Sequence, residues 1–269
     1  MASVPTQNVW IPRLQSQREM TIEEIEVDKY YRNIRSILNK ITPQKFKKLL
    51  HSLTNLDIDT DFKMEKLAEF IIVKAVDEPL YGKVYARMCS YLINHMKEKN
   101  STRSVDCFKK YLLDGCQKFF MKIIECQEDV NVPGNESWYK EFVNRQEMFG
   151  SVMFIGELYK TKVISGLAMH DYVMLLLKKE NTRKLELKLE CLCKLLRTIG
   201  FHLENEMQKK DEMDTYFTEI ERLRNHHIFC SRVKFALLDL CELRANNWCD
   251  RRTREVPTTI DQIHSQHGG

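Results

Sequence analysis

The side chains best equipped for chemistry are a few histidines and cysteines. His170-Asp171 has the residue types of a base and its orienting carboxylate. Neighbours on a helix point about 100° apart, so the two cannot form a relay pair. His226, His227, Cys230, Cys241 and Cys249 can be drawn as a zinc site, but their spacing matches no common ligand pattern. Cys191 and Cys193 point to different faces of a helix, as core thiols do. The stretch Gly150 to Gly156 encloses Ser-Val-Met-Phe-Ile and lacks the lysine of a phosphate loop, and no Gly-x-Ser-x-Gly elbow occurs. The expectation is a protein without catalytic residues, cofactor or metal.

Two basic clusters remain. Lys45, Lys47 and Lys48 lie beside an apolar helical stripe, and Arg251, Arg252 and Arg254 sit in a polar tail. Each can contact nucleic-acid phosphates as sequence-independent charge. The whole chain does not demand such a partner: 42 Lys and Arg against 38 Asp and Glu leave a net charge of only +4. Any basic function must come from a local patch.

The elements that would position these residues are helices. Nine glycines and six prolines in 269 residues are about half the usual share. So few breakers exclude a β-sandwich or barrel and the glycine-rich turns of Rossmann and P-loop enzymes. Apolar residues recur at three- and four-residue steps, as in Tyr30, Ile34, Ile37, Leu38 and Ile41, or Phe46, Leu49, Leu50, Leu53 and Leu56. Thr42-Pro43 reads as a helix cap with proline at the first helical position, and Asp77-Glu78-Pro79 ends a third helix. After a break at 127–137 the runs are 138–149, 151–160, 163–179, 184–199, 204–224 and 228–245, with Gly200 closing one of them. Roughly ten helices that pair every 40-odd residues predict an all-α fold, an α-α superhelix of about five HEAT-type hairpins. The expected organisation is an extended arm over 1–27, the repeat domain over 28–250, and a tail over 251–269 with a short last helix from Thr258 to His264.

Nine scattered cysteines with no Cys-x-x-Cys pair, no basic-then-apolar leader and no long apolar span predict an intracellular, cytoplasmic protein.

At Arg35-Ser-Ile-Leu-Asn-Lys-Ile-Thr-Pro43 the chain resembles the middle domain of the eukaryotic translation initiation factor 4 gamma family. The likeness continues through Ala75-Val-Asp-Glu-Pro79, Tyr85-Ala-Arg-Met-Cys89, Cys116-Gln-Lys118, Phe154-Ile-Gly-Glu-Leu-Tyr159, Met169-His-Asp171 and Leu189-Glu-Cys-Leu-Cys193. It closes with Ser231-Arg-Val-Lys-Phe235, Leu243-Arg244, Asn247-Trp248 and Thr259-Ile-Asp-Gln-Ile263. These blocks come in family order over about 28–264. The resemblance implies a five-repeat solenoid that does no chemistry itself and holds the DEAD-box RNA helicase of translation initiation, contacting both helicase lobes. Carried over residue by residue, the main contact falls on Phe154, Glu157, Leu158 and Tyr159, and on Arg232, Phe235, Arg244 and Trp248. Trp10-Ile11-Pro12 matches a Trp-x-Pro that touches the other lobe, so Trp10 is the expected aromatic anchor of the arm.

The sequence departs from the family pattern in three places. The segment Glu125 to Asn144 is short where the family carries a charged insertion, and Asn144-Arg145-Gln-Glu with Val152-Met153 replaces basic residues. None of the ten tyrosines opens the motif by which such scaffolds recruit the cap-binding protein, Tyr-x-x-x-x-Leu followed by an apolar residue; Tyr172 with Leu177 comes nearest, but Lys178 stands at the apolar position. The expected role is a helicase-binding initiation module without direct cap-binding-protein recruitment. The alternative is an mRNA-binding adaptor on the same fold, using Lys45, Lys47, Lys48, Arg251, Arg252 and Arg254. Other initiation factors and mRNA are further partners to be expected.

Overall fold

The computed structural model describes residues 22–56, 58, 60–99, 102–125, 135–206 and 210–249. Helix α1 (Ile22–Leu38) begins inside what the sequence reading assigned to the arm, with Glu23, Glu24 and Glu26 in its first turns. Acidic residues are favoured in the first turns of a helix by its dipole, which is why an acidic run starts a helix rather than prolonging the arm. Thr42 does not cap the next helix. Its hydroxyl accepts from the Lys45 N–H at 3.3 Å in a turn, and α2 runs over Phe46–Thr54. Thr60 caps α3 (Asp61–Asp77), accepting from the Lys63 N–H at 3.2 Å, and Pro79 ends it as expected. A 3₁₀ turn, Pro79–Tyr81, leads into α4 (Gly82–Glu98), followed by α5 (Thr102–Glu125).

Helix α6 is continuous over Asn135–Lys160, where two runs were expected with a break at Gly150. Gly150 is a crossing point: a Cβ there would lie 2.2 Å from the Val76 carbonyl oxygen at the end of α3. Ser165 caps α7 (Gly166–Leu177), accepting from the Ala168 N–H at 3.3 Å. Helix α8 runs through Thr182–Glu206, so Gly200 lies within it and not past its end. Helices α9 (Lys210–Arg224) and α10 (Ser231–Ala245) complete ten α-helices, with no strand among the described residues.

The helices form five hairpins, α1·α2 to α9·α10, arranged in two layers. One layer holds α2, α4, α6, α8 and α10, each packed on the next. The other begins with α1, α3 and α5, and is carried on by rings: Phe120 of α5 lies 4.4 Å from Tyr172 of α7, and His170 of α7 bonds Tyr216 of α9. Polar contacts between neighbouring repeats keep a register of 40 to 42 residues, seen in Glu190–Arg232, Arg197–Asp239 and Glu204–Arg244. This is the HEAT-type superhelix, with the pairing period expected from sequence.

Candidate functional site

The side chains that could meet a partner lie across α6, α8 and α10, three parallel neighbours of one layer. Glu190 is 8% exposed and binds two arginines from flanking repeats: Arg145 Nη2 of α6 at 2.9 Å and Arg232 Nε of α10 at 2.5 Å. One turn on, Lys194 Nζ stands 5.6 Å above the Phe149 ring, and two turns on, Arg197 reaches Asp239 at 3.3 Å. Between Arg232 and Asp239 on α10, Phe235 projects into solvent with 64% of its surface exposed. An aromatic ring left open within a lattice of paired charges is the composition of an interface hot spot and its rim.

The residues carried over from the family fall into distinct places. Phe154, Leu158 and Tyr159 are buried, at 1%, 0% and 2% exposed, so they belong to the core and not to a contact surface. The physical reason is the position of α6, which packs against α3, α4, α5 and α8 and has little free face. Its apolar residues run round the whole helix, as in Met148-Phe149 and Val152-Met153-Phe154-Ile155, the mark of a helix covered on all sides. Tyr159 keeps a polar tip, its hydroxyl donating to Glu206 at 2.8 Å, and burial raises its pKa. Glu157 is largely covered and paired to Lys160 at 2.8 Å. Arg232 and Phe235 are exposed, on the face just described.

Arg244 and Trp248 instead build the end of the last repeat. Arg244 holds Glu204 at 2.8 Å and Asp214 at 2.6 Å, with its guanidinium 4.5 Å from the Phe217 ring centre. Trp248 donates from Nε1 to Glu204 at 2.6 Å and sets its indole edge against Phe217. Asn247 and Trp248 both carry positive φ, 54° and 61°, closing α10 with a bond from the Trp248 N–H to the Leu243 carbonyl at 2.8 Å. That conformation is strained for a tryptophan, so the indole's contacts must hold it. Gly200 supplies the room: a Cβ there would sit 2.1 Å from the indole. A groove of about 580 Å³ opens beside it, lined by Phe201, Glu204, Phe217, Glu221, Cys241 and Trp248 among others.

Lys45, Lys47 and Lys48 are exposed, and none enters an ion pair among the described residues. Arg87 of α4 joins them, its guanidinium 5.2 Å from the Phe46 ring centre, a contribution invisible in sequence because it comes from another repeat. Trp10, Arg251, Arg252 and Arg254 lie outside the described residues, as do the arm before residue 22 and the last segment from Thr258 to His264.

The chemistry-bearing residues are absorbed by packing. His170 contacts the Tyr216 hydroxyl rather than Asp171, and burial with Glu212 and Asp171 nearby pushes Tyr216 up to about 12. Cys191 and Cys193 are buried, and burial drives the Cys193 thiol to about 12. Among the described residues no cluster of His, Cys, Asp and Glu could hold a metal ion, and no helix is long and apolar enough to cross a membrane. Tyr172 and Leu177 of the near-match to the cap-binding motif both face inward, against Phe120 and the core.

Comparison with known proteins agrees with this architecture. The family model for the MIF4G domain matches residues 31–247. The chain is 34% identical to human eukaryotic translation initiation factor 4 gamma 3 over 97% of its own length and 17% of that protein's. It is 36% identical to mouse eukaryotic translation initiation factor 4 gamma 1 over 88% of this chain and 16% of that protein. A melon (Cucumis melo) eukaryotic translation initiation factor 4G is 34% identical over 87% of this chain and 13% of its own length. The chain thus spans about a sixth of these relatives. In structure it is similar to the MIF4G domain of the Trypanosoma cruzi translation initiation factor EIF4G5, with a TM-score of 0.55 at 20% identity, covering 82% of this chain and 97% of that one. With the matched region reaching from α1 to the turn after α10, the chain belongs to the MIF4G domain family.

Proposed function

We propose that this chain is a non-catalytic module of translation initiation that docks the DEAD-box RNA helicase of the cap-binding complex without recruiting the cap-binding protein directly. The observation that carries the reading is Phe235, exposed on the α6–α8–α10 face among Arg232, Arg197, Asp239 and Lys194. Trp10 supplies a second anchor from the arm. Two anchors on two lobes favour the helicase conformations in which the lobes lie close, a population shift that speeds an ATP-driven cycle. The test is a titration of the chain into purified helicase with RNA and ATP, following phosphate release and binding together. A saturable complex is expected; no binding by the intact chain overturns the reading. Phe235→Ala should weaken that complex by about 2 kcal/mol, roughly 30-fold in Kd, with an unchanged thermal midpoint because the ring packs against little. Equal affinity for the variant removes Phe235 from the interface.

A second reading, an mRNA-binding adaptor, is favoured by the unpaired Lys45, Lys47 and Lys48 beside Arg87. If these lysines meet phosphates, changing all three to Gln lowers the slope of log K against log salt for single-stranded RNA by about 2, at about 0.7 per contact. An unaltered slope rejects the patch as the RNA site.

A further inference from the structure

The groove beside Trp248 lies between α8, α9 and α10, on the hairpin that ends the described superhelix. Inner hairpins have each apolar side covered by the next repeat, whereas a terminal hairpin needs a cap. Here the cover is incomplete: Phe201 is 54% exposed on the rim, and Cys241 is half-buried within the groove. Besides its apolar rings, the groove is lined by two carboxylates, Glu204 and Glu221, against one guanidinium, Arg244. Glu204 is engaged by Arg244 and Trp248, while Glu221 enters no ion pair among the described residues.

The 20 residues from 250 to 269 follow directly from this spot, since Trp248 is itself a wall of the groove. They carry Arg251, Arg252 and Arg254 against Asp250, Glu255 and Asp261; the segment is neutral overall, but its three arginines fall within four residues and offer a cationic cluster to a groove lining of net −1. Val256, Ile260 and Ile263 recur at steps of four and three, so one side of the segment is apolar. The seven residues from 250 to 256 span at most about 24 Å, enough to bring this stripe back over the groove. Tethering at the rim makes the encounter intramolecular, which gives a weak contact a high effective concentration.

We propose that the C-terminal segment of this chain is the ligand of the groove, seating Ile260 and Ile263 against Phe201 and Phe217 while its arginines meet Glu221. The segment acts as the cap of the last repeat, and it begins two residues past Trp248, whose indole Glu204 holds in place as a wall of the groove. This cap is independent of helicase docking and is read without the helicase.

Cysteine accessibility tests it in the full chain. Cys241 lines the groove, and Cys230 stands exposed at the opposite end of α10. Site-resolved alkylation is measured for the native chain and for Ile260→Asp/Ile263→Asp, a change in the tail that leaves the helical core intact. Labelling of Cys241 should accelerate about tenfold, as for a segment that leaves its groove about a tenth of the time, while Cys230 keeps its rate. Equal Cys241 rates in the two chains would show an open groove and overturn the proposal.

Discussion

Truncating Phe154 to Ala is expected to cost about 3–5 kcal/mol of folding stability, and to lower the thermal midpoint by about 10 °C. Phe154 is 1% exposed in the C-terminal half of α6, a helix that packs against α8, α3 and α4. Removing the ring forfeits its transfer energy and leaves a cavity that three packed helices can only partly close. Well below the new midpoint the folded fraction should bind the helicase with native affinity, because the ring never reaches the surface. Calorimetry and a binding isotherm on the same preparation decide between the two roles. A native midpoint with weakened binding would place Phe154 in the interface and contradict its burial.

The second large effect is expected at Gly150. Val76 ends the buried stripe of α3, and its carbonyl oxygen lies 2.2 Å from where a Cβ at position 150 would stand. That obstacle is backbone and cannot rotate away, so Gly150→Val must push α6 off α3, a strain of about 3 kcal/mol. The gain in helix propensity over glycine returns less than about 1 kcal/mol. Chemical denaturation should show a lower midpoint with an unchanged slope. A midpoint at or above the native value would mean that the two helices do not cross so closely. Gly200→Val is a milder case, since the group it meets is the Trp248 indole, a side chain at the end of the fold that can swing out.

Much of the architecture is legible along the chain. Stripes such as Tyr30, Ile34, Ile37, Leu38 and Ile41 name the buried faces, and all five are buried in the structure. The hairpin count and the 40-odd-residue period follow from where these stripes stop. Glycine misled twice: Gly150 was read as a break and Gly200 as a helix end, yet both lie inside helices where another element comes too close for a side chain. The rule that glycine punctuates a helix assumes the backbone has no neighbour. In a two-layer superhelix the neighbour is another repeat, and nothing local announces it.

The same division holds for the site. Family motifs put Phe154, Leu158, Tyr159, Arg244 and Trp248 in one class with Phe235, because likeness of sequence does not separate residues that touch a partner from residues that support the fold. Three-dimensional packing separates them, leaving Phe235 exposed while Phe154 is enclosed and Arg244 is tied to Glu204 and Asp214. Glu190 escaped the sequence reading altogether, since its role depends on arginines 45 residues before it and 42 after it. Sequence by itself determined the helices, their apolar faces and the period at which they pair, because those are set by backbone geometry and the side chains within a few turns. Only the tertiary structure decided which faces stay open, because whether a side chain meets solvent, an ion-pair partner or another helix depends on repeats some forty residues away.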